Sequence, residues 1–193
     1  MREGKSKRPV LTRDYLVRAT YNYLQRFATT EKNLREVLGR KARRRLSDEE
    51  GSDTQALMPQ AKDWIDDIVH KAVQQNLVND RQYAEARARS LIRSGNSKMK
   101  VGQKLQAKGV AADLVAEVLE ALAEQYEDMD FLAAVKYARK RRFGAFSIRH
   151  DGAELMEKEL ASMCRAGFSY TLTIRVLKMP CRDLEDILYQ TSI

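Results

Sequence analysis

Cysteine is almost missing from this chain: Cys164 and Cys181 are the only two among 193 residues. That excludes a disulfide-stapled scaffold, and a chain of this length buries enough surface to do without one. Proline is nearly as scarce, since Pro9, Pro59 and Pro180 leave more than a hundred consecutive residues without it. Runs of β-branched residues are also rare, whereas Ala, Leu, Lys, Arg, Glu and Gln abound, so the composition favours continuous helix. No apolar run approaches the roughly 20 residues of a membrane span, and the polar, basic start at Met1–Pro9 has no secretory signal. The expectation is an all-α protein of the cytoplasm.

The apolar residues recur with a helical period between recognisable caps. Leu16, Ala19, Tyr23 and Phe27 share a face behind Thr12, and Leu34, Val37 and Leu38 follow Thr30. Ser47 to Gln60 is acidic, contains Gly51 and Pro59 and shows no period, so it reads as a linker or mobile insertion. A wide stripe of Trp64, Ile65, Ile68, Val69, Ala72 and Val73 comes next. Asn79 or Asp80 then caps a helix that stops at Gly95, and Ser97 opens another that stops at Gly109. Leu114 to Leu122 form a third. The plan recurs with helices ending at Gly144, at Gly167 and before Pro180, and a last short helix holds Leu184, Ile187 and Leu188.

These sets align with one another. A shift of 58 residues carries Gly109, Val118 and Leu119 onto Gly167, Val176 and Leu177, and a shift of 67 carries Leu34, Leu38 and Lys41 onto Val101, Leu105 and Lys108. The economical reading is three tandem three-helix repeats in an elongated or curved array, each burying its open face on its neighbour, plus a short C-terminal helix. The expected boundaries are a basic tail at 1–11, repeats at 12–76 (with the 47–60 insertion), 77–127 and 128–179, and the last helix at 180–193.

Charge is segregated along this plan. Residues 1–46 carry 14 basic and 4 acidic side chains, residues 81–112 carry 8 and 1, and residues 136–149 carry 6 and none, with acidic blocks between. The clusters are Arg40, Lys41, Arg43, Arg44 and Arg45; then Arg87, Arg89, Arg93, Lys98, Lys100 and Lys104; then Lys136, Arg139, Lys140, Arg141 and Arg142. Stacked repeats would join them into a positive stripe suited to a polyphosphate backbone. The competing readings are solvated helix faces, cations at helix C-termini and a contact for an acidic protein. No base-reading element is evident.

Catalytic and metal-binding patterns are missing. His70 and His150 have no second ligand at useful spacing, Cys164 reads as core and Cys181 as exposed, and neither has a His and Asn nearby. Asp66 with Asp67, and Glu157 with Glu159, read as solvated helix faces. Gly102, inside a helix, marks either close packing or the approach of a partner backbone. Tyr15, Tyr21, Tyr23, Tyr83, Tyr126 and Tyr137 read as core more readily than as base-stacking residues. No enzyme, cofactor or metal is expected.

Leu77-Val78-Asn79-Asp80-Arg81-Gln82-Tyr83-Ala84, Gly95-Asn96-Ser97-Lys98-Met99-Lys100-Val101 and Leu105-x-x-Lys108-Gly109-Val110 resemble the central signature of the RecX family, regulators of the bacterial RecA recombinase. Leu160-x-x-Met163-Cys164-Arg165-Ala166-Gly167-Phe168-Ser169-Tyr170 is similar to its closing motif, and Tyr23-Leu24 with Leu34, Leu38 and Lys41 more loosely to its opening one. The long 47–60 insertion and Ala166, where a basic residue is common, depart from the pattern. The resemblance implies a curved all-α protein that lodges in the groove of a RecA filament on single-stranded DNA. It also implies limits on filament growth, ATP hydrolysis and strand exchange within homologous recombination, DNA repair and the SOS response. No active site comes with it, and a monomer is expected. The alternatives are a general DNA-binding or transcriptional regulator and a helical scaffold for another protein.

Overall fold

The computed structural model describes residues 11–47, 54–125, 128–148 and 152–190. The first set of helices is α1 (Arg13–Leu24), α2 (Glu31–Leu46) and α3 (Thr54–Gln74). The second is α4 (Asp80–Arg93), α5 (Lys98–Ala107) and α6 (Ala112–Gln125). The third is α7 (Met129–Arg141), α8 (Ala153–Arg165) and α9 (Tyr170–Lys178), with a short 3-10 turn at Gly144–Phe146, and α10 (Cys181–Gln190) closes the chain. No strand occurs among the described residues, and the all-α expectation of three-helix sets holds. The chain divides into two compact units, Met1–Tyr83 and Ala84–Ile193.

Local chemistry starts and stops the helices. The side chains of Thr12, Thr30, Ser97 and Ser169 accept from the backbone N–H three residues on, at 3.1–3.3 Å. Of the two caps considered for α4, Asn79 fills the role, its Oδ1 accepting from Gln82 N at 3.0 Å. Asp80 instead accepts from Glu31 N at 2.8 Å. At Gly95, Gly109 and Gly167 the backbone turns left-handed, and the next N–H bonds back to the carbonyl of Leu91, Leu105 or Met163, which satisfies carbonyls the helix end leaves free.

Three expectations need correction. Residues 54–60 are not linker but the opening of α3, with Pro59 inside the helix. Leu57 and Met58 pack on the core and Ala61 is fully buried, so the apolar stripe of α3 begins before Pro59 and offsets the bond that proline removes. Gly51 lies outside the described residues. The residue that ends α7 in a left-handed conformation is Arg142, not Gly144, which also has a positive φ of +53° but opens the 3-10 turn two residues later. Phe27 does not continue the face of α1: it follows the helix end, 54% exposed, with its ring tilted on that of Tyr23 at 5.2 Å.

The first unit buries Leu16, Leu34, Leu38, Ile65 and Val69 where α1, α2 and α3 meet. In the second unit α5 packs on α6, burying Val101, Leu105, Val115 and Val118. A Cβ at Gly102 would lie 3.5 Å from Leu119 and Val115, so this glycine marks helix packing. Further on, Phe131, Val135, Met163, Val176, Leu184 and Leu188 form a core beneath α7, α9 and α10. Here the start of α5 touches the α8–α9 turn, where Ser97 Oγ donates to Ala166 O at 2.6 Å. It also touches α7, where Lys98 N donates to Asp130 Oδ1 at 2.7 Å.

Two glycines should respond oppositely to alanine. Gly39 lies inside α2 with nothing within 4 Å of an added Cβ, so Gly39→Ala should stabilise by about 0.5–1 kcal/mol. Gly167 has φ +94°, and an added Cβ would stand 2.5 Å from Ser97 Oγ, so Gly167→Ala should destabilise by at least about 1–2 kcal/mol. Urea unfolding followed by circular dichroism checks both signs.

Candidate nucleic-acid interface

The first basic cluster follows from how α2 is buried. Leu34, Val37, Leu38, Ala42 and Leu46 face the core, so Arg40, Lys41, Arg43 and Arg44 are left exposed. Arg45 is half-buried, its guanidinium 3.9 Å above the ring of Tyr15, a cation–π distance. Arg43, Arg44 and Arg45 also stand in the last turn, where the helix dipole favours cations.

Other cations of this unit are used internally. Arg13 meets Asp67 at 2.6 Å, Lys71 meets the same carboxylate at 3.1 Å, and Arg35 meets Asp66 at 3.0 Å and Glu31 at 2.5 Å. The hydrogen bonds from Arg13 and then Lys71 hold Asp67 below the usual carboxylate range. Burial pushes Asp80 upward, only partly countered by the N–H of Glu31. Asp66 and Asp67 are therefore partners of basic side chains on α1, α2 and α3, not simply a solvated face.

In the second unit Arg87, Arg89 and Arg93 are exposed on α4. Arg87 and Arg89 project about 200° apart round the helix, flanking the buried row of Ala84 and Ala88 on opposite sides, whereas Arg89 and Arg93 share a row. On α5, Lys98 and Lys104 are exposed and Lys100 half-buried. Lys104 Nζ donates to Asn96 Oδ1 at 2.5 Å, and Lys100 Nζ to Gln103 Oε1 at 3.0 Å. Lys136 is half-buried, its Cβ 3.3 Å from where a Cβ on Gly95 would be, so the α4–α5 turn adjoins α7 beside it. Arg139, Lys140, Arg141 and Arg142 are exposed at the end of α7, the Arg141 guanidinium 5.8 Å from the ring of Phe143. Among the described residues no carboxylate is in ion-pairing reach of Arg87, Arg89, Arg93, Lys98, Lys136 or Arg139 to Arg142.

The clusters do not occupy equivalent places in their sets: the first is on a second helix, the next spans a first and a second, and the last is on a first. Cation placement follows whichever surface packing leaves free, not the repeat frame.

The rest of the candidate chemistry is dispersed. His70 is exposed, its Nε2 2.8 Å from Gln74 Nε2, while His150 lies outside the described residues. Cys164 is half-buried and Cys181 exposed. No His, Cys, Asp and Glu cluster able to hold a metal occurs among the described residues. Tyr15, Tyr23, Tyr83 and Tyr137 are half-buried and Tyr21 is exposed, with Tyr126 outside the described residues. Glu159 is not on a solvated face: it is 6% exposed and accepts from Gly144 N at 2.8 Å. The signal was its place in the row of Leu155, Glu159 and Met163, four residues apart.

Residues 79–119 match the model of the RecX second three-helix domain. The chain is similar to the regulatory protein RecX of Myxococcus xanthus (strain DK1622), with 35% identity over 178 residues covering 91% of each chain. It is also similar to the regulatory protein RecX of Agrobacterium fabrum, 36% identical over 165 residues, 86% of this chain and 83% of that one. The crystal structure of RecX from Lactobacillus salivarius shares the fold, with a TM-score of 0.61 at 22% identity over 90% of this chain and 96% of that one.

The depressed Asp67 gives the first unit an acid-sensitive element. Its folded-state pKa lies below the unfolded one, so its contribution is present above the ordinary carboxylate range and is lost as pH falls through the depressed value. The gap in urea midpoint between the wild type and Asp67→Asn should therefore close as pH is lowered. A gap that persists unchanged well below that range would contradict the assignment.

Proposed function

The chain belongs to the RecX family, and from that premise we propose that it is a non-enzymatic negative modulator of RecA recombinase filaments. In this reading it binds the filament on single-stranded DNA and limits filament growth, ATP hydrolysis and strand exchange. It thereby acts in recombinational repair and the SOS response, in the cytoplasm. No helix among the described residues is long and apolar enough to cross a membrane.

The observation that carries the proposal is the set of cations on α4, α5 and α7 that meet no carboxylate among the described residues. Cations already held by carboxylates would have to break those pairs before meeting a phosphate. Arg87, Arg89, Arg93, Lys98 and Arg139 to Arg142 need not, and each phosphate they neutralise releases condensed counterions. Phosphate contacts carry no base sequence, which suits a protein following a filament formed on any strand. To change activity, the binding must favour one filament state over another, and a filament offers both DNA phosphates and acidic protein surface to distinguish its states. Lys100, Lys104 and Lys136 would support this contact, and the first cluster, Arg40, Lys41, Arg43, Arg44 and Arg45, would supply phosphate contacts of its own in the first unit.

Titrating the protein into RecA, single-stranded DNA and ATP should suppress hydrolysis at low ratio. No inhibition at any ratio, with filaments unchanged by electron microscopy, would refute the proposal, and salt-sensitive duplex binding in its place would support a general DNA-binding protein. The triple charge reversal R87E/R89E/R93E should weaken inhibition severalfold. It should also flatten the log–log salt dependence of single-strand binding by about 2, from roughly 0.7 per phosphate contact. Full retention of both would remove α4 from the contact.

A further inference from the structure

The second unit contains a cavity of about 490 Å³ between the basic end of α7 and one side of α8, within the size range of small-ligand sites. Its lining is chemically divided. Lys140 and Arg142 come from the end of α7, and Lys158 and Ser162 from α8. Phe143 adds an aromatic wall, its ring met edge-on by Tyr137 at 6.2 Å. Glu159, a residue 94% buried, adds a carboxylate. One oxygen of that carboxylate accepts from Gly144 N, and the group has no other partner among the described residues. Lys158 pairs across one helical turn with Glu154, a side chain 82% exposed, so that bond is easily exchanged for a ligand.

A simple anion does not use this arrangement. Glu159 would repel it, and the exposed side of the α7 arginines would serve as well. A ligand with a negative end and a hydrogen-bond-donating face uses both halves. We propose that this cavity receives one unpaired nucleotide, its phosphate on Lys140, Arg142 and Lys158 and its amino-bearing base against Phe143 with the amino group donating to Glu159. Carboxylates accept from the N4 amino group of cytosine, and splayed bases stack on aromatic rings. Thymine has no amino group and offers the carboxylate only its N3–H, flanked on both sides by carbonyl oxygens that repel it. The inference rests on the nucleic-acid contact proposed above and assigns it a base preference that phosphate contacts cannot supply.

The test is fluorescence anisotropy of the full chain with labelled oligo-dC and oligo-dT, two strands with little structure of their own. Oligo-dC should bind at least about tenfold more tightly, the lower end of the range for one net hydrogen bond to a charged group. Glu159→Gln, which keeps an acceptor for Gly144 N, should weaken this preference, while Lys158→Ala should weaken both strands alike. Equal wild-type affinities, or a preference undiminished in Glu159→Gln, would overturn the inference. If Glu159→Gln does not fold, as read by circular dichroism, the wild-type comparison and Lys158→Ala still decide. Competition with free dCMP separates the two sources of the same chemistry: displacement means a free nucleotide is the occupant, and a persisting preference without displacement means a nucleotide within a strand. RecA-dependent hydrolysis measured on the same preparation keeps the two proposals apart, since its suppression can stand when the base preference fails, and the reverse.

Discussion

The amide groups at the start of a helix have no partners within it, and the architecture is built around supplying them. Thr30 caps α2 from within its own set, and Asp80, from the first turn of the next helix set, accepts from Glu31 N. Ser97 caps α5 in the same way, and Asp130, from the first turn of α7, accepts from Lys98 N. Glu31 and Lys98 are 67 residues apart, the same shift that aligns Leu38 with Leu105. The same solution therefore appears once in each unit. It joins a helix start to a neighbouring helix without enlarging the apolar core. It also places a carboxylate where the helix dipole favours negative charge.

Most of the fold was legible because its signals are local. Hydroxyl caps at Thr12, Thr30, Ser97 and Ser169, and glycines at left-handed positions, depend on a few neighbouring residues. Those are the features a one-dimensional reading captures. The readings that failed depend on distant packing. Pro59 looks like a helix breaker until Leu57, Met58 and Ala61 meet the first core. Gly144 looks like a stop, but its virtual Cβ would lie 2.8 Å from Leu177 O, and Arg142 turns the chain before it.

The charged surface was legible as composition but not as use. Arg13, Arg35 and Lys71 are bound to carboxylates, whereas Arg87, Arg89 and Arg93 meet none among the described residues, yet nothing in the local sequence separates the two groups. Only the partners across the fold do. Glu159 is the converse case: a carboxylate in a charged-looking stretch whose spacing from Leu155 and Met163 placed it with the apolar row.

Arg142 adopts φ 57° and ψ 52°, a conformation that glycine takes freely and that costs an ordinary side chain about 1–2 kcal/mol. A library of this protein selected for thermal resistance would accordingly enrich glycine at this position. Each such survivor would be sturdier and one positive charge poorer on the surface proposed to grip DNA. Consensus stabilisation is thus liable to erode the protein at the end of α7 while every folding assay reports an improvement.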